Sequence, residues 1–237
     1  DDEKLMYPFY EKIAKTGIRN VCIHKGLFAP SIAEKFPRLL PYADVSDIGK
    51  AAKDWPQLNF LVYHSAYRWV GGNPADAMAE FDKTGRSSWT SDLAEIPEKY
   101  GVNNVYGDLG QIFAWTSVAE PRLAAALMGM LVKGLGTDHI VWGTDAVWTG
   151  APQWQIEGLR RLEIPEDMQK KFGFKPLGPA DGPVKTAIFG GNSARLYGME
   201  QHAELYRNDR FAAIKADYIA NGPGRSNLRY GYVARPA

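Results

Sequence analysis

Four short apolar runs, each ending in a polar residue, recur at intervals of roughly 40 residues. Each run is rich in β-branched residues and is continuous rather than alternating, which is typical of strands covered on both faces. Segments with helical periodicity lie between them, and this alternation predicts a parallel α/β sheet. The four runs are RNVCIHKG (19 to 26), LNFLVYHSA (58 to 66), NNVYGDLG (103 to 110) and DHIVWGTDAV (138 to 147). The strands predicted within them are Asn20 to His24, Asn59 to His64, Val105 to Asp108 and Ile140 to Gly143, adjacent and parallel in that order.

The predicted helices are bounded by glycine. An amphipathic helix from Lys4 to Thr16 ends at Gly17, and a short helix from Ser46 to Ala52 precedes the second run. A long apolar-spaced stretch from Glu120 to Leu135 precedes the fourth run and stops at a glycine pair. A last helix is predicted in TAIFGGNSARLYGM.

Polar residues at the strand ends favour a (β/α)8 TIM barrel over a doubly wound sheet. Functional groups of a barrel lie at the carboxyl ends of its strands, where His24, His64, Asp108 and Asp145 are expected. A doubly wound sheet would more often carry a glycine-rich phosphate loop after its first strand, and the sequence has none.

The number of repeats predicts roughly the second half of such a barrel, strands 5 to 8. A closed barrel needs eight strands, whereas four units and a last helix are recognisable. Either the sequence is the C-terminal part of a longer product, or two halves associate. We expect residues 1–200 to form this barrel portion and residues 201–237 a charged helix followed by an extended tail, whose Tyr230 and Tyr232 would dock on this chain or on a neighbour.

Composition describes a globular protein with few obvious partners. Hydrophobic residues make up 45% and charged residues 23%, and the net charge is +1, which gives no reason to expect nucleic acid or an anionic membrane as a partner. There is no apolar run long enough to span a bilayer and no secretory signal at the start. The single cysteine, Cys22, is interpreted as a small core residue; it leaves the compartment undecided, with the cytoplasm favoured. The expected partners are a small-molecule substrate and a second copy of the chain in a homo-oligomer.

The strand-end residues have the chemistry of a metal site. A lone histidine in an apolar run is more often a hydrogen-bonded core residue than a ligand. His24 and His64 would, however, end neighbouring strands, and Asp145 would end another. Imidazole and carboxylate are the ligands of catalytic zinc sites, and a cation would offset the cost of placing a carboxylate at the end of a buried strand.

The motifs CIHKG, VYHSA and WGTDAVW, followed by the GGNSARLYG helix, resemble the later strands of the amidohydrolase-related family. These are metal-dependent barrel enzymes that include hydrolases and decarboxylases of the aminocarboxymuconate-semialdehyde and resorcylate types. The resemblance covers roughly residues 4 to 200 and implies that His24 binds metal. It further implies that Asp145 binds metal or transfers a proton, and that His64 polarises water or substrate.

The sequence departs from the family pattern in two places. The first-strand pair of metal ligands would lie upstream of Asp1. Glycine often follows the sixth-strand histidine in the family, but here the sequence is HSAYRW, which predicts a substrate pocket shaped by Tyr67, Arg68 and Trp69. Arg68 suits a two-point contact with a carboxylate, and Trp148 is expected to contribute contact area.

The other polar and aromatic candidates have simpler interpretations. Asp108 is expected to cap the turn that follows its strand. His139 and His202 are interpreted as surface residues, and Trp89 and Trp115 as loop residues near the pocket.

Three functions follow from these residues. The first is a metal-dependent hydrolase that holds a divalent ion, zinc by preference, and attacks an amide, ester or lactone with an activated water. In it His24 and Asp145 bind metal, His64 and Asp145 are catalytic, and Arg68, Trp69 and Trp148 bind substrate. The alternatives are a nonoxidative decarboxylase of a small aromatic or unsaturated acid, and an inactive half-barrel that acts as a binding subunit.

Overall fold

The computed structural model describes residues 3–68, 72–199 and 212–221. Its centre is a four-stranded parallel sheet in the order β1-β2-β3-β4. The strands are β1 (Asn20–His24), β2 (Asn59–Tyr63), β3 (Val105–Asp108) and β4 (Ile140–Val141). The predicted parallel sheet and the order of its strands are therefore confirmed, and the protein is an α/β protein.

Helices connect every pair of neighbouring strands, as parallel pairing requires. The α-helices are α1 (Glu3–Lys15), α2 (Pro30–Lys35), α3 (Leu40–Ala43), α4 (Ile48–Asp54), α5 (Pro74–Thr84), α6 (Thr90–Tyr100), α7 (Gly110–Ala119), α8 (Pro121–Gly134), α9 (Ala146–Thr149), α10 (Gln153–Arg161), α11 (Glu166–Phe172), α12 (Pro183–Thr186), α13 (Asn192–Tyr197) and α14 (Ala212–Asn221). Short 3-10 turns cover Pro37–Leu39, His64–Ala66 and Thr137–His139, and a π-turn covers Ala187–Gly191. Among the described residues, no helix is long and apolar enough to cross a membrane.

The main core lies on one face of the sheet. Phe60, Val62 and Ile140 are fully buried there, with buried side chains of α6 and α8 in the same cluster. Because α8 is buried along most of its length, its apolar face accounts for much of the area removed from water.

The opposite face of the sheet is only partly covered. A small cluster of Leu61, Tyr106 and Val141 packs there against Leu196 of α13. Cys22 lies on this face of β1 and is exposed, with its sulfur 3.8 Å from the hydroxyl of Tyr197. The interpretation of Cys22 as a core residue is therefore wrong, and so is the expectation that the strands are covered on both faces within the described part of the chain.

Hydrogen bonds from asparagine side chains stabilise the amino ends of the strands. The Asn104 Nδ2 donates to the carbonyl oxygens of Ala52, Trp55 and Leu58 at 2.7 to 3.2 Å. Asn192 at the start of α13 donates to the carbonyl oxygen of Ile140, the first residue of β4, at 2.7 Å and to that of Thr137 in the preceding 3-10 turn at 2.8 Å. Buried carbonyl groups need such donors, so these amides hold the end of the sheet opposite the candidate site.

The C-terminal segment is described in part. Helix α14 falls within the charged helix that was predicted from residue 201 onward. The tail with Tyr230 and Tyr232 lies outside the described residues.

Candidate functional site

The predicted strand-end residues meet at the edge of the sheet where the strands end, called here the carboxyl edge. His24 ends β1, His64 directly follows β2, Asp108 ends β3, and Asp145 lies between β4 and α9. The ring centroids of His24 and His64 are 4.9 Å apart, with the rings nearly perpendicular. The charge of Asp145 acts on both His64 and Asp108. The four side chains therefore form one cluster.

The side chain of His24 is exposed at this edge. Within the described residues, no hydrogen bond reaches its imidazole, whose neighbour is the ring of His64. Lys25, the next residue, is buried and pairs with Asp47 at 2.9 Å, which anchors the end of β1. A histidine with both ring nitrogens open differs from the hydrogen-bonded core histidine that the sequence allowed as an alternative.

His64 is buried and held in one tautomer. The backbone N–H of Gln111 donates to its Nδ1 at 3.1 Å. Gln111 lies in the first turn of α7, where an amide has no acceptor within its own helix. Because Nδ1 accepts a hydrogen bond, the neutral ring carries its hydrogen on Nε2.

The protonation of His64 agrees with this geometry. Burial, and to a smaller extent the nearby His24, lower the pKa of His64 to about 4 against the opposing negative charge of Asp145. At neutral pH the ring is therefore uncharged and donates through Nε2.

The main chain around His64 is strained. His64, Ser65 and Ala66 have φ values of 56°, 46° and 57°, and a left-handed conformation costs an L-residue about 1–2 kcal/mol. The Ser65 hydroxyl donates to the carbonyl oxygen of Asp108 at 2.9 Å and holds the turn against β3. Strain of this kind persists where the surrounding structure enforces it, often at functional sites. The turn also explains why β2 ends at Tyr63, one residue before the predicted end.

Asp108 belongs to the cluster, although the sequence predicted a capping residue. Helix α7 has Leu109 at its N-cap and no side-chain cap, so the capping interpretation is wrong. Burial, with a smaller contribution from the negative charge of Asp145, raises the pKa of Asp108 to about 7, and the nearby main chain of His64 opposes this shift. A carboxyl group in this environment exchanges its proton close to neutral pH.

Asp145 is half-buried and has a left-handed φ of 52°. Its carbonyl oxygen accepts the backbone N–H groups of Trp148 and Thr149, and its side chain does not cap α9. Gln155 donates to the carbonyl oxygen of Thr144 at 3.1 Å and holds the same loop. The loop is thus fixed through its main chain, which leaves the carboxylate for the cluster.

The predicted substrate-binding residues lie apart from one another. Arg68 packs over the ring of Trp89, with its guanidinium carbon 5.1 Å from the ring centroid. It lines a cavity of about 580 Å³ between the segments that follow β1 and β2, together with apolar side chains such as Phe28 and Leu40. Trp148 on α9 is 80% exposed, and Trp69 lies outside the described residues.

The two remaining histidines are His139 and His202, and the structure describes only the first. His139 is half-buried, because its ring nitrogens lie 3.0 Å from Asp138 Oδ1 and 2.7 Å from the Asn103 carbonyl oxygen. Its interpretation as a surface residue is therefore wrong. Its ring contacts residues that precede β3 and β4 and so connects the amino ends of these two strands. His202 lies outside the described residues.

The cluster contains side chains of the types that bind metal ions. Imidazole and carboxylate are the right donor types for zinc. Within residues 3–68, 72–199 and 212–221, however, no three His, Cys, Asp or Glu side chains come close enough together to hold a metal ion. The donor types suit a metal ion, but the described residues do not by themselves form a complete metal site.

These features define a parallel α/β protein with a histidine and aspartate cluster at the carboxyl edge of its sheet. A family model described as amidohydrolase matches residues 1–199. The chain belongs to the amidohydrolase family, as its strand-end motifs predicted.

Three solved structures are similar to this chain, each over 81% of its length. They are the 5-carboxyvanillate decarboxylase of Sphingomonas paucimobilis (16% identity, TM-score 0.42, 52% of that chain covered), a 2,6-dihydroxybenzoate decarboxylase bound to 2,6-dihydroxybenzoate (14%, 0.44, 54%) and a protein of Pseudomonas putida designated a 2-pyrone-4,6-dicarboxylic acid hydrolase (13%, 0.44, 68%). The chain thus spans about half the length of the first two. No curated protein matches it significantly.

Proposed function

We propose that the protein is part of a metal-dependent hydrolase that acts on an amide, ester or lactone of a small substrate. The observation that carries this proposal is the position of His24, His64 and Asp145 at the carboxyl edge of a parallel sheet in an amidohydrolase chain, with the two imidazole rings 4.9 Å apart. In the proposed enzyme the four strands form one half of a (β/α)8 barrel, and the partly covered sheet face lies toward the barrel interior.

The chain's own residues would divide the chemistry. A bound divalent ion, zinc by its ligand preference, would supply Lewis acidity and an activated water, with His24 and Asp145 among its ligands. His64 would donate its Nε2–H to the oxygen of the scissile carbonyl, because its Nδ1 is already occupied by Gln111. The Asp145 carboxylate would accept the proton of the attacking water.

A metal and activity assay tests this proposal. The complete protein, with this chain and the other half of the proposed barrel, is loaded with zinc, freed of excess ion, and measured for metal content and for hydrolysis of a panel of aryl esters and lactones. We expect bound zinc, and a rate that falls about a hundred to ten thousand fold in Asp145→Asn with an unchanged thermal melt. Trp148→Ala, at an exposed position on α9, is expected to raise KM with little change in kcat. If the complete protein holds no zinc and turns over no substrate, the chain is a binding subunit and the proposal is wrong.

A nonoxidative decarboxylase is the second candidate, favoured by the contact of Arg68 with Trp89. An arginine stacked on an aromatic ring beside a largely apolar cavity suits the carboxylate of a planar acid. Carbon dioxide release from hydroxybenzoates, lost in Arg68→Met and retained in Glu34→Gln on the same cavity, would favour this candidate over the hydrolase.

A further inference from the structure

We propose that Gln155 is a positioning residue that determines the direction of the Asp145 side chain. It acts through the main chain on both sides of Asp145 and is not itself a metal ligand or a catalytic group. The inference rests on the proposed role of Asp145 as a ligand, but one part of its test needs no metal.

Both peptide groups that flank Asp145 are held by hydrogen bonds. On one side, the Thr144 carbonyl oxygen accepts from Gln155 Nε2 at 3.1 Å and from Thr149 Oγ1 at 2.8 Å. On the other side, the Asp145 carbonyl oxygen accepts from Thr149 Oγ1 at 3.0 Å and from the backbone N–H groups of Trp148 and Thr149 at 3.0 and 3.1 Å. Because peptide groups are planar, holding both of them fixes φ and ψ of the residue between them. The direction in which the Asp145 side chain leaves the main chain is thereby fixed as well.

Gln155 supplies the hydrogens that these acceptors need. The Thr149 hydroxyl has one hydrogen, although two carbonyl oxygens lie within its reach. The Gln155 Nε2 carries two hydrogens and donates both to the Thr144 oxygen and, at 2.9 Å, to Thr149 Oγ1. Since Gln155 already supplies the Thr144 oxygen, the Thr149 hydrogen is available to the Asp145 oxygen.

The burial of Gln155 supports this role. Its side chain lies on α10 and is fully buried. The Thr144 carbonyl oxygen can only accept, so it is the amide nitrogen of Gln155 that faces it. Within the described part of the chain, Gln155 Oε1 has no hydrogen-bond partner, and burying an unpaired carbonyl group costs stability. An apolar side chain would avoid this cost, so the two hydrogen bonds from Nε2 explain glutamine at position 155.

The conformation that these hydrogen bonds hold is an uncommon one. Asp145 has φ 52° and ψ 38°, in the left-handed region that is unfavourable for L-residues. Strand β4 ends at Val141, and α9 is a single turn without a side-chain cap, which is too short to be stable alone. If Asp145 relaxed to a negative φ, its Cβ atom would point in another direction and turn the carboxylate away from the cluster.

Hydrogen exchange of the complete protein, followed by mass spectrometry with residue resolution, tests the positioning without metal. The Trp148 and Thr149 amides report on the Asp145 carbonyl group, because both donate to it. Gln155→Met keeps a side chain of similar length and loses the donor, and we expect these two amides to exchange about tenfold faster or more. Thr149→Val should have the same effect, whereas Thr149→Ser keeps the hydroxyl and should retain the wild-type rates.

Gln169→Met is the matched control for the loss of a glutamine hydrogen bond. Gln169 on α11 donates from its Nε2 to the Ile164 carbonyl oxygen at 2.8 Å, away from the cluster. This variant should leave the exchange of the Trp148 and Thr149 amides unchanged.

A double-mutant cycle of zinc affinity tests whether Gln155 acts through Asp145. The Kd for zinc is measured by competition with a chelator in the wild-type protein, Gln155→Met, Asp145→Ala and the double variant. Residues that orient a metal ligand typically contribute about 10–100-fold to affinity, so Gln155→Met should weaken zinc binding about tenfold or more. In the Asp145→Ala background, the same substitution should change the Kd less than about twofold, because the ligand that it orients is gone.

The inference is overturned if the Trp148 and Thr149 amides keep their wild-type exchange rates in Gln155→Met. It is equally overturned if this variant weakens zinc binding by the same factor with and without Asp145. If Gln155→Met does not fold, Thr149→Val decides both measurements. A wild-type protein that binds no zinc contradicts the proposed function, and the exchange rates then decide the inference alone, so the two failures are distinguishable.

Discussion

Replacing Ser65 tests whether the left-handed turn at the site is strained. Ser65 is fully buried, has φ 46° and ψ 38°, and donates its hydroxyl to the Asp108 carbonyl oxygen. Ser65→Ala removes the hydrogen bond and keeps the Cβ atom that makes this conformation costly. Ser65→Gly removes both. If the turn is strained, Ser65→Gly should be at least as stable as Ser65→Ala.

The magnitudes support this order. Loss of the hydroxyl leaves a buried carbonyl group without its donor and costs about 1–3 kcal/mol in either variant. Glycine regains about 1–2 kcal/mol of backbone strain and loses about 0.8 kcal/mol from burying one carbon fewer. Ser65→Gly should therefore be as stable as Ser65→Ala, or more stable by up to about 1 kcal/mol.

Ser117 on α7 is the matched control. It is buried like Ser65 but lies in a right-handed helix, where glycine is about 1 kcal/mol less stable than alanine. Urea denaturation followed by tryptophan fluorescence gives the free energy of unfolding of all four variants. Each 1 kcal/mol also shifts the Tm by about 2–4 °C in a chain of this size. If Gly is less stable than Ala by the same amount at positions 65 and 117, the turn is not strained.

Two further predictions concern residues outside the cluster. Asn104→Asp should unfold the protein, at a cost above about 4 kcal/mol. The reason is that the new carboxylate would face three carbonyl oxygens that now accept hydrogen bonds from Nδ2. A native circular dichroism spectrum of this variant would contradict the prediction. Burial lowers the pKa of Lys185 in the folded protein below its ordinary value of about 10.4. Between these two pKa values the unfolded chain binds more protons than the folded one, so the free energy of unfolding rises with pH. Lys185→Met should remove this rise, measured as urea midpoints between pH 7 and 10; an unchanged pH slope would show that Lys185 is not the cause.

The strands could be predicted from the sequence because their apolar runs are continuous and end in polar residues. The predicted β1 from Asn20 to His24 has the observed bounds, and β2 differs by one residue. The same runs could not indicate that one sheet face is partly open. Cys22 is exposed because the covering elements determine burial, and a continuous apolar run does not identify them.

The sequence indicated which residues form the cluster, but not the contacts between them. His24 ends β1, His64 directly follows β2, and Asp145 lies in the loop after β4, so their positions near strand ends indicated them. The place of the Asp108 carboxylate depends on Gly143, which lies on another segment of the chain and would contact the carboxylate if it had a Cβ atom. The sequence HSA contains no glycine, so nothing local indicated a left-handed turn at this point.

Polar residues lie at both ends of the strands. Their surroundings distinguish the side chains that stabilise the fold from those that are available for chemistry. At the amino ends, the Asn104 and Asn192 amides donate to main-chain carbonyl groups that would otherwise lack donors. At the carboxyl edge stand imidazoles and carboxylates, and the His24 ring receives no hydrogen bond from the described residues. The strain has the same distribution, since five of the six non-glycine residues with positive φ among the described ones follow the strand ends: Leu27, His64, Ser65, Ala66 and Asp145. Substitutions at the amino ends should therefore change stability, whereas substitutions at the carboxyl edge should change chemistry at a smaller cost in folding.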